Sequence, residues 1–177
     1  MKIYRFIKLA LFIAFSVLIF VFRNELVSNL PYFIGAVILG YGVENIGVLA
    51  FVEKKECFKN NKFTFSFFEI ILGITTIVVI TDFAYACIVW AVWSMLRQSI
   101  DIYEVLSGGV KGVVAIILLI ESVISIVFGI LLIIHPTEHH AIHHIYLLIA
   151  ELMVISLPPV IDEIIAFSKT NKEKKNS

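Results

Sequence analysis

The chain predicts an all-α integral membrane protein: six transmembrane helices, arranged as three parallel-repeat helical hairpins in one compact bundle. Composition is the first reason. Of the 177 residues, 60% are hydrophobic and only 16% are charged, with a mean hydropathy of +0.98, far above a soluble domain. Spacing is the second. Apolar residues gather into six stretches, at 4–22, 30–52, 64–81, 83–106, 110–134 and 141–166, each close to the ~20 residues that cross the hydrocarbon layer. Charge is the third. Thirteen of the 14 Lys and Arg residues can be placed on one side of a membrane, and cations beside spanning helices are retained on the cytoplasmic side. Both termini are therefore expected inside, in a bacterial inner membrane. The hairpins lie near 4–53, 64–107 and 110–167 of a single transmembrane domain, followed by a basic tail at 168–177.

The first stretch follows Lys2, Arg5 and Lys8 and has no small-x-small cleavage site before Arg23 and Asn24, so it reads as a retained helix rather than a signal peptide. The second carries Gly35, Gly40, Gly42 and Gly47, small residues that let helices approach in lipid. It ends on Lys54, Lys55, Lys59 and Lys62. The third holds Glu69 near its cytoplasmic end, where water is expected to reach it, and the same holds for Asp101 on the fourth. Trp90 and Trp93 of the fourth stretch lie too deep for an interfacial belt and read as packing residues. Lys111 precedes the fifth stretch, which carries Ser122, Ser125 and Gly129. The sixth opens with Thr137 as N-cap and Glu138 in its first turn. Pro158 and Pro159 kink or end it before Asp162 and Glu163, because two N–H donors are lost. Lys169, Lys172, Lys174 and Lys175 follow. Cys57 and Cys87 fall toward opposite membrane faces, which argues against a disulfide between them.

The odd-numbered stretches share a phrase. FSVLIFVFRN begins at Phe15, LGITTIVVITD at Leu72 and FGILLIIHP at Phe128; the small residues Ser16, Gly73 and Gly129 are 57 and then 56 positions apart. A period of that length is one helical hairpin, and two helices per unit keep the repeats parallel. FGILLIIHP, Phe128 to Pro136, together with YFIGAVILGYG, Tyr32 to Gly42, resembles the repeat of small six-helix bacterial membrane proteins of the HdeD type, the DUF308 repeat family. The resemblance covers most of 10–165, although Arg23 and Asp82 occupy the first two turns where Pro136 occupies the third. It implies the six-helix fold and, from some members, a theme of acid resistance. It implies no reaction.

Ionisable groups at membrane depth are functional candidates. Glu44, Arg97 and Glu121 each lie about 14 residues from the outer end of their stretch, roughly 20 Å deep at 1.5 Å per residue. Glu151 lies about 10 residues into the last stretch, near ~15 Å. These four predict an intramembrane polar centre in which Glu44 or Glu121 neutralises Arg97, while Glu151, with no cation of its own, is a protonatable acid. The same residues also fit snorkelling to the cytoplasmic boundary or a static structural pair.

All five histidines fall in HPTEHHAIHH: His135, His139, His140, His143 and His144. On a helix starting at Thr137, His139 and His143 share a face, as do His140 and His144. Three uses fit this pattern. The residues can cap a helix at the headgroup level. They can sense external acid, because imidazole changes charge between about pH 5 and 8. They can ligate a metal through an i,i+4 pair, although a closed zinc site wants four ligands.

No nucleophile elbow, phosphate loop or HExxH occurs, so no catalytic residue and no cofactor is assigned. The lysines flank helices and face lipid phosphates, which argues against nucleic acid; the expected partner is the bilayer, with a homo-oligomer or a membrane-protein partner left open. The expected role is non-enzymatic: envelope or acid-stress protection with a pH-responsive outer histidine cluster. The alternative is a small transporter or channel subunit for protons or a divalent metal, working through the Arg/Glu centre.

Overall fold

A computed structural model describes residues 3–53, 61–108 and 112–153, and every element among them is helical. They are α1 (Ile3–Val21), α2 (Arg23–Ser28), α3 (Leu30–Gly47), a π-helical continuation (Val48–Glu53), α4 (Asn61–Val79), α5 (Phe83–Leu106), α6 (Val113–Ile134) and α7 (138–153). Two helical segments, Leu30–Phe51 and Val114–Ile134, are long and apolar enough to cross a membrane, and Leu9–Val21 and Phe63–Val79 are shorter apolar helices. Cys57, Pro158, Pro159, Asp162, Glu163 and the tail at 168–177 lie outside the described residues, as do Lys2, Lys54, Lys55, Lys59 and Lys111.

Polar residues at the turns start the helices. Asp82 Oδ1 accepts the backbone N–H groups of Ala84 and Tyr85 at 2.9 and 3.2 Å and so caps α5. Thr137 Oγ1 accepts the His140 N–H at 3.3 Å and caps α7 as expected. Pro31 occupies the first turn of α3, where its missing N–H does no harm. The α5–α6 turn uses Gly108 and Gly112, both at positive φ. The first turn differs from expectation. Phe22 N–H bonds to Leu18 O at 3.0 Å and Leu26 N–H to Phe22 O at 2.9 Å, so the helical ladder runs past Arg23 and the chain turns at Asn29. Arg23 sits on α2 and donates to Phe20 O at 3.0 Å. Polar residues at 23–25 look like a turn in sequence, but a helix end that reaches water tolerates them.

Packing pairs α3 with α4 and α5 with α6, and α3 also meets α5. The α3–α4 seam is set by glycine. A Cβ on Gly73 would lie 2.6 Å from Leu39 N and 2.8 Å from Gly35 O, and one on Gly42 would lie 2.7 Å from Ser66 O. Gly40 and Gly47 take no part, since a Cβ there meets nothing within 4 Å. Trp90 and Trp93 of α5 are core residues, packed with Ile34 and Ile38 of α3, Leu132 of α6 and Ile145 of α7. The core is apolar, but so is much of the surface, and a few polar side chains lie inside. Phe15, Val17, Val78, Ile116 and Val123 are exposed, while Glu69, Gln98, Glu121, Ser122 and Glu151 are buried.

The seam yields a prediction. Gly73→Ala forces a methyl against backbone atoms and should lower stability by about 1–3 kcal/mol. Gly40→Ala should leave it unchanged or slightly raised, because a helix gains when glycine is replaced in open space. Thermal unfolding of both variants in detergent micelles checks the pair.

Candidate functional site

The site grows from two consecutive residues of α5. Arg97 and Gln98 are about 100° apart around the helix, so they reach different neighbours. Trp93 lies one turn before Arg97 and shares its face. On α3, Tyr41 and Asn45 are likewise one turn apart. Glu69 comes from α4, Glu121 and Ser125 from one face of α6, and Glu151 from the inner stripe of α7 that also carries His144, Leu148 and Leu152.

Arg97 Nε donates to Glu151 Oε1 at 2.8 Å. Its Nη1 lies 3.5 Å from Glu69 Oε1. Glu69 is fully buried, accepting Trp93 Nε1–H on Oε1 at 3.0 Å and Asn45 Nδ2–H on Oε2 at 3.4 Å. The guanidinium carbon sits 3.8 Å from the Tyr41 ring centroid, well inside the range of a cation–π contact. One cation is thus held by two carboxylates and an aromatic face contributed by α3, α4 and α7. Beside it, Glu121 Oε1 accepts Gln98 Nε2–H at 3.2 Å and Ser125 Oγ–H at 2.9 Å, and Gln98 Oε1 accepts Ser122 Oγ–H at 2.8 Å. Charge-assisted bonds of this kind are the strong ones in a dry interior.

Several expectations need correction. Glu44 or Glu121 was the expected counter-ion of Arg97; the guanidinium instead meets Glu151 and Glu69, and Glu121 belongs to the amide of Gln98. Glu151 does have a cation. Glu69 is not wetted but 0% exposed. Depth along a helix was the guide, and depth does not say which face a residue occupies. Glu44 lies on α3 beside Tyr41, at the wall of an apolar groove. Asp101 is partly buried. Tyr41, Asn45, Trp93 and Gln98 were not assigned to the site. One signal pointed to the two amides: each directly follows an ionisable candidate, Glu44 or Arg97.

The histidines divide. His140 Nδ1 donates to His135 O and His143 Nδ1 to His139 O, each at 2.7 Å, and because a carbonyl only accepts, those nitrogens carry the proton. The His139 and His143 rings are 4.3 Å apart, and His143 stacks on Phe128. His144 turns inward. It is 3% exposed, its ring lies 4.7 Å from that of Trp90, and neither ring nitrogen has a hydrogen-bond partner. The expected His140–His144 pair is therefore split between the mouth and the core. Among the described residues no three His, Cys, Asp or Glu side chains converge as metal ligands. Cys87 is buried and free.

No protein-family model, curated protein or solved structure matches this chain.

The pairing can be tested by a double-mutant cycle. Arg97→Ala leaves Glu69 and Glu151 buried without their cation and should cost about 3–5 kcal/mol. Adding Glu151→Gln should restore part of that loss, so the pair costs less than the sum of the two single changes. Denaturant unfolding in mixed micelles measures all four corners.

Proposed function

We propose that the chain is a six-span membrane protein with both termini cytoplasmic, whose buried acids bind protons in the service of acid- or envelope-stress protection. One observation carries the proposal. Glu69, Glu121 and Glu151 are each 8% exposed or less, and among the described residues Arg97 is the cation that meets Glu69 and Glu151, while Glu121 accepts from Gln98 and Ser125. A guanidinium balances one carboxylate. An uncompensated charge at mid-bilayer costs roughly 2.5–3.5 kcal/mol on insertion scales, so each further acid calls for a proton or a cation. The hydrogen bonds at Glu121 leave room for proton uptake, because both donors fall on Oε1 and a proton arriving on the other oxygen would not displace them.

The membrane assignment draws on the apolar outer surface, on the two long apolar helices and on the alternating lysine junctions. The acid theme draws on the likeness of 128–136 and 32–42 to the HdeD-type repeat and on the gathering of four histidines at the α6–α7 mouth. No catalytic role is proposed. Transport of protons or small cations through the centre is the second reading, favoured by the placing of a second acid site, Glu121 on Gln98, next to the Arg97 group.

Reporter fusions after Lys62 and Ser177 should read cytoplasmic, and one after Thr137 external; a periplasmic Ser177 would rule out the layout. Proton uptake is tested in liposomes holding the purified protein, with an acid pulse from about pH 7.5 to about pH 5. Wild type should take up about one more proton per chain than Glu121→Gln, in a burst that saturates. Equal uptake would reject proton binding at this acid. Sustained flux that Glu151→Gln abolishes would replace the binding role with transport.

A further inference from the structure

The hydrogen bonds at the α6–α7 mouth decide what each histidine there offers. His140 Nδ1 is committed to His135 O, and His143 Nδ1 to His139 O. A proton on Nδ1 leaves the lone pair of a neutral ring on Nε2. A histidine that ligates a metal through one nitrogen almost always donates its other N–H to a carbonyl, a carboxylate or water, which fixes the tautomer and the direction of the ring. His140 and His143 both have that arrangement. They differ in what stands beside the remaining nitrogen. His143 lies one turn after His139 on the same helix face, and the two rings are 4.3 Å apart. His140 has no such neighbour. His139 is adjacent to it in sequence and so faces another side of α7. Its own turn-mate, His144, is 3% exposed and faces the core.

The His139–His143 pair thus joins an oriented ligand to an adaptable one. The His143 ring stacks on Phe128 and is tied by its Nδ1–H. His139 is exposed, and among the described residues no hydrogen bond ties its ring, so it can turn to complete a chelate. Two imidazoles do not close a tetrahedral zinc site, which takes four protein ligands. They suit an ion that takes two neighbouring nitrogens of a tetragonal set and fills the other positions with water, and Cu²⁺ is the strongest binder of that kind. The positive end of the α7 dipole opposes a cation here, and Glu138 in the same first turn acts against that opposition. We propose that His139 and His143 chelate a divalent transition-metal ion of tetragonal preference, Cu²⁺ above all, at the water-exposed mouth. The open positions make this a site of capture and release, since a structural site would be closed. It is independent of proton uptake, which was assigned to the buried acids Glu69, Glu121 and Glu151.

The probe is Cu²⁺ itself, added to the full chain in a non-ionic detergent at about pH 7.5, above the ordinary imidazole range. Mg²⁺, which prefers oxygen ligands, is the control. Equilibrium dialysis should show saturable binding of about one Cu²⁺ per chain and none of Mg²⁺. Electron paramagnetic resonance of the bound ion should show coupling to the nitrogens of two imidazoles. His139→Gln and His143→Gln should each weaken binding by more than about tenfold, because even outer-shell partners of a metal are worth that much. His135→Gln and His140→Gln should leave it unchanged. Thermal unfolding checks that all four variants fold. Should one of the pair variants fail to fold, the nitrogen coupling of the wild-type spectrum decides alone. No saturable Cu²⁺ binding, coupling to a single nitrogen, binding that survives both pair substitutions, or an equal loss with His135→Gln or His140→Gln would each overturn the proposal.

Discussion

A guanidinium inside a helical bundle has to be met on several sides at once, and the placing of Arg97 organises the rest of the structure. Glu151 brings in α7, Glu69 brings in α4 and the Tyr41 ring brings in α3. The next residue, Gln98, turns to α6 and holds Glu121 and Ser122. Two adjacent positions on α5 thereby address four other helices. In the proposed lipid surround there is no hydrophobic drive to press helices together, so there such polar contacts and the glycine seam of α3 and α4 carry much of the specificity. Trp93 serves both roles, packing in the core and donating to Glu69.

The contacts also recur. Asn45 reaches Glu69 across the α3–α4 seam, and Gln98 reaches Glu121 across the α5–α6 seam. The two amides are 53 residues apart and the two acids 52. Asn29, Asp82 and Thr137, at the starts of α3, α5 and α7, are separated by 53 and 55. These matches favour the parallel-hairpin proposal, with a register shorter than the 57 and 56 positions between Ser16, Gly73 and Gly129. The phrase-based spacing ran long because it took Arg23 for a turn that the chain does not make until Asn29. On α3, α5 and α7 the ionisable residues Glu44, Arg97 and Glu151 follow the same 53 and 54 spacing, which is why three separate helices deliver charge to one level.

Most helix positions, the cap at Thr137 and the core role of the tryptophans were legible in the sequence, because each rests on a local rule. The polar centre was legible only as a depth. Glu121 and Glu151 were singled out and are buried, yet their partners were misassigned and Glu69 was passed over. On α6 the stripe of Glu121, Ser122, Ser125 and Gly129 marks the inward face, but the partner of a charge depends on how the facing helices are rotated about their axes. The histidines show the same limit: four line the mouth while His144 points into the core beside Trp90, and i,i+4 spacing alone does not separate them.

The central claim is that, of the buried carboxyls of Glu69, Glu121 and Glu151, the first and last meet a single guanidinium and Glu121 meets only neutral donors, so that acid protons complete the balance. The most direct measurement is carbon-13 magnetic resonance of the side-chain carboxyls of Glu69, Glu121 and Glu151, each assigned by its Gln variant, in bilayers of neutral lipid and dilute buffer. At neutral pH at least one carboxyl should resonate as a neutral acid, and Arg97→Met should convert a further one from carboxylate to acid. Three ionised carboxylates at neutral pH, unaltered by the loss of Arg97, would contradict the claim.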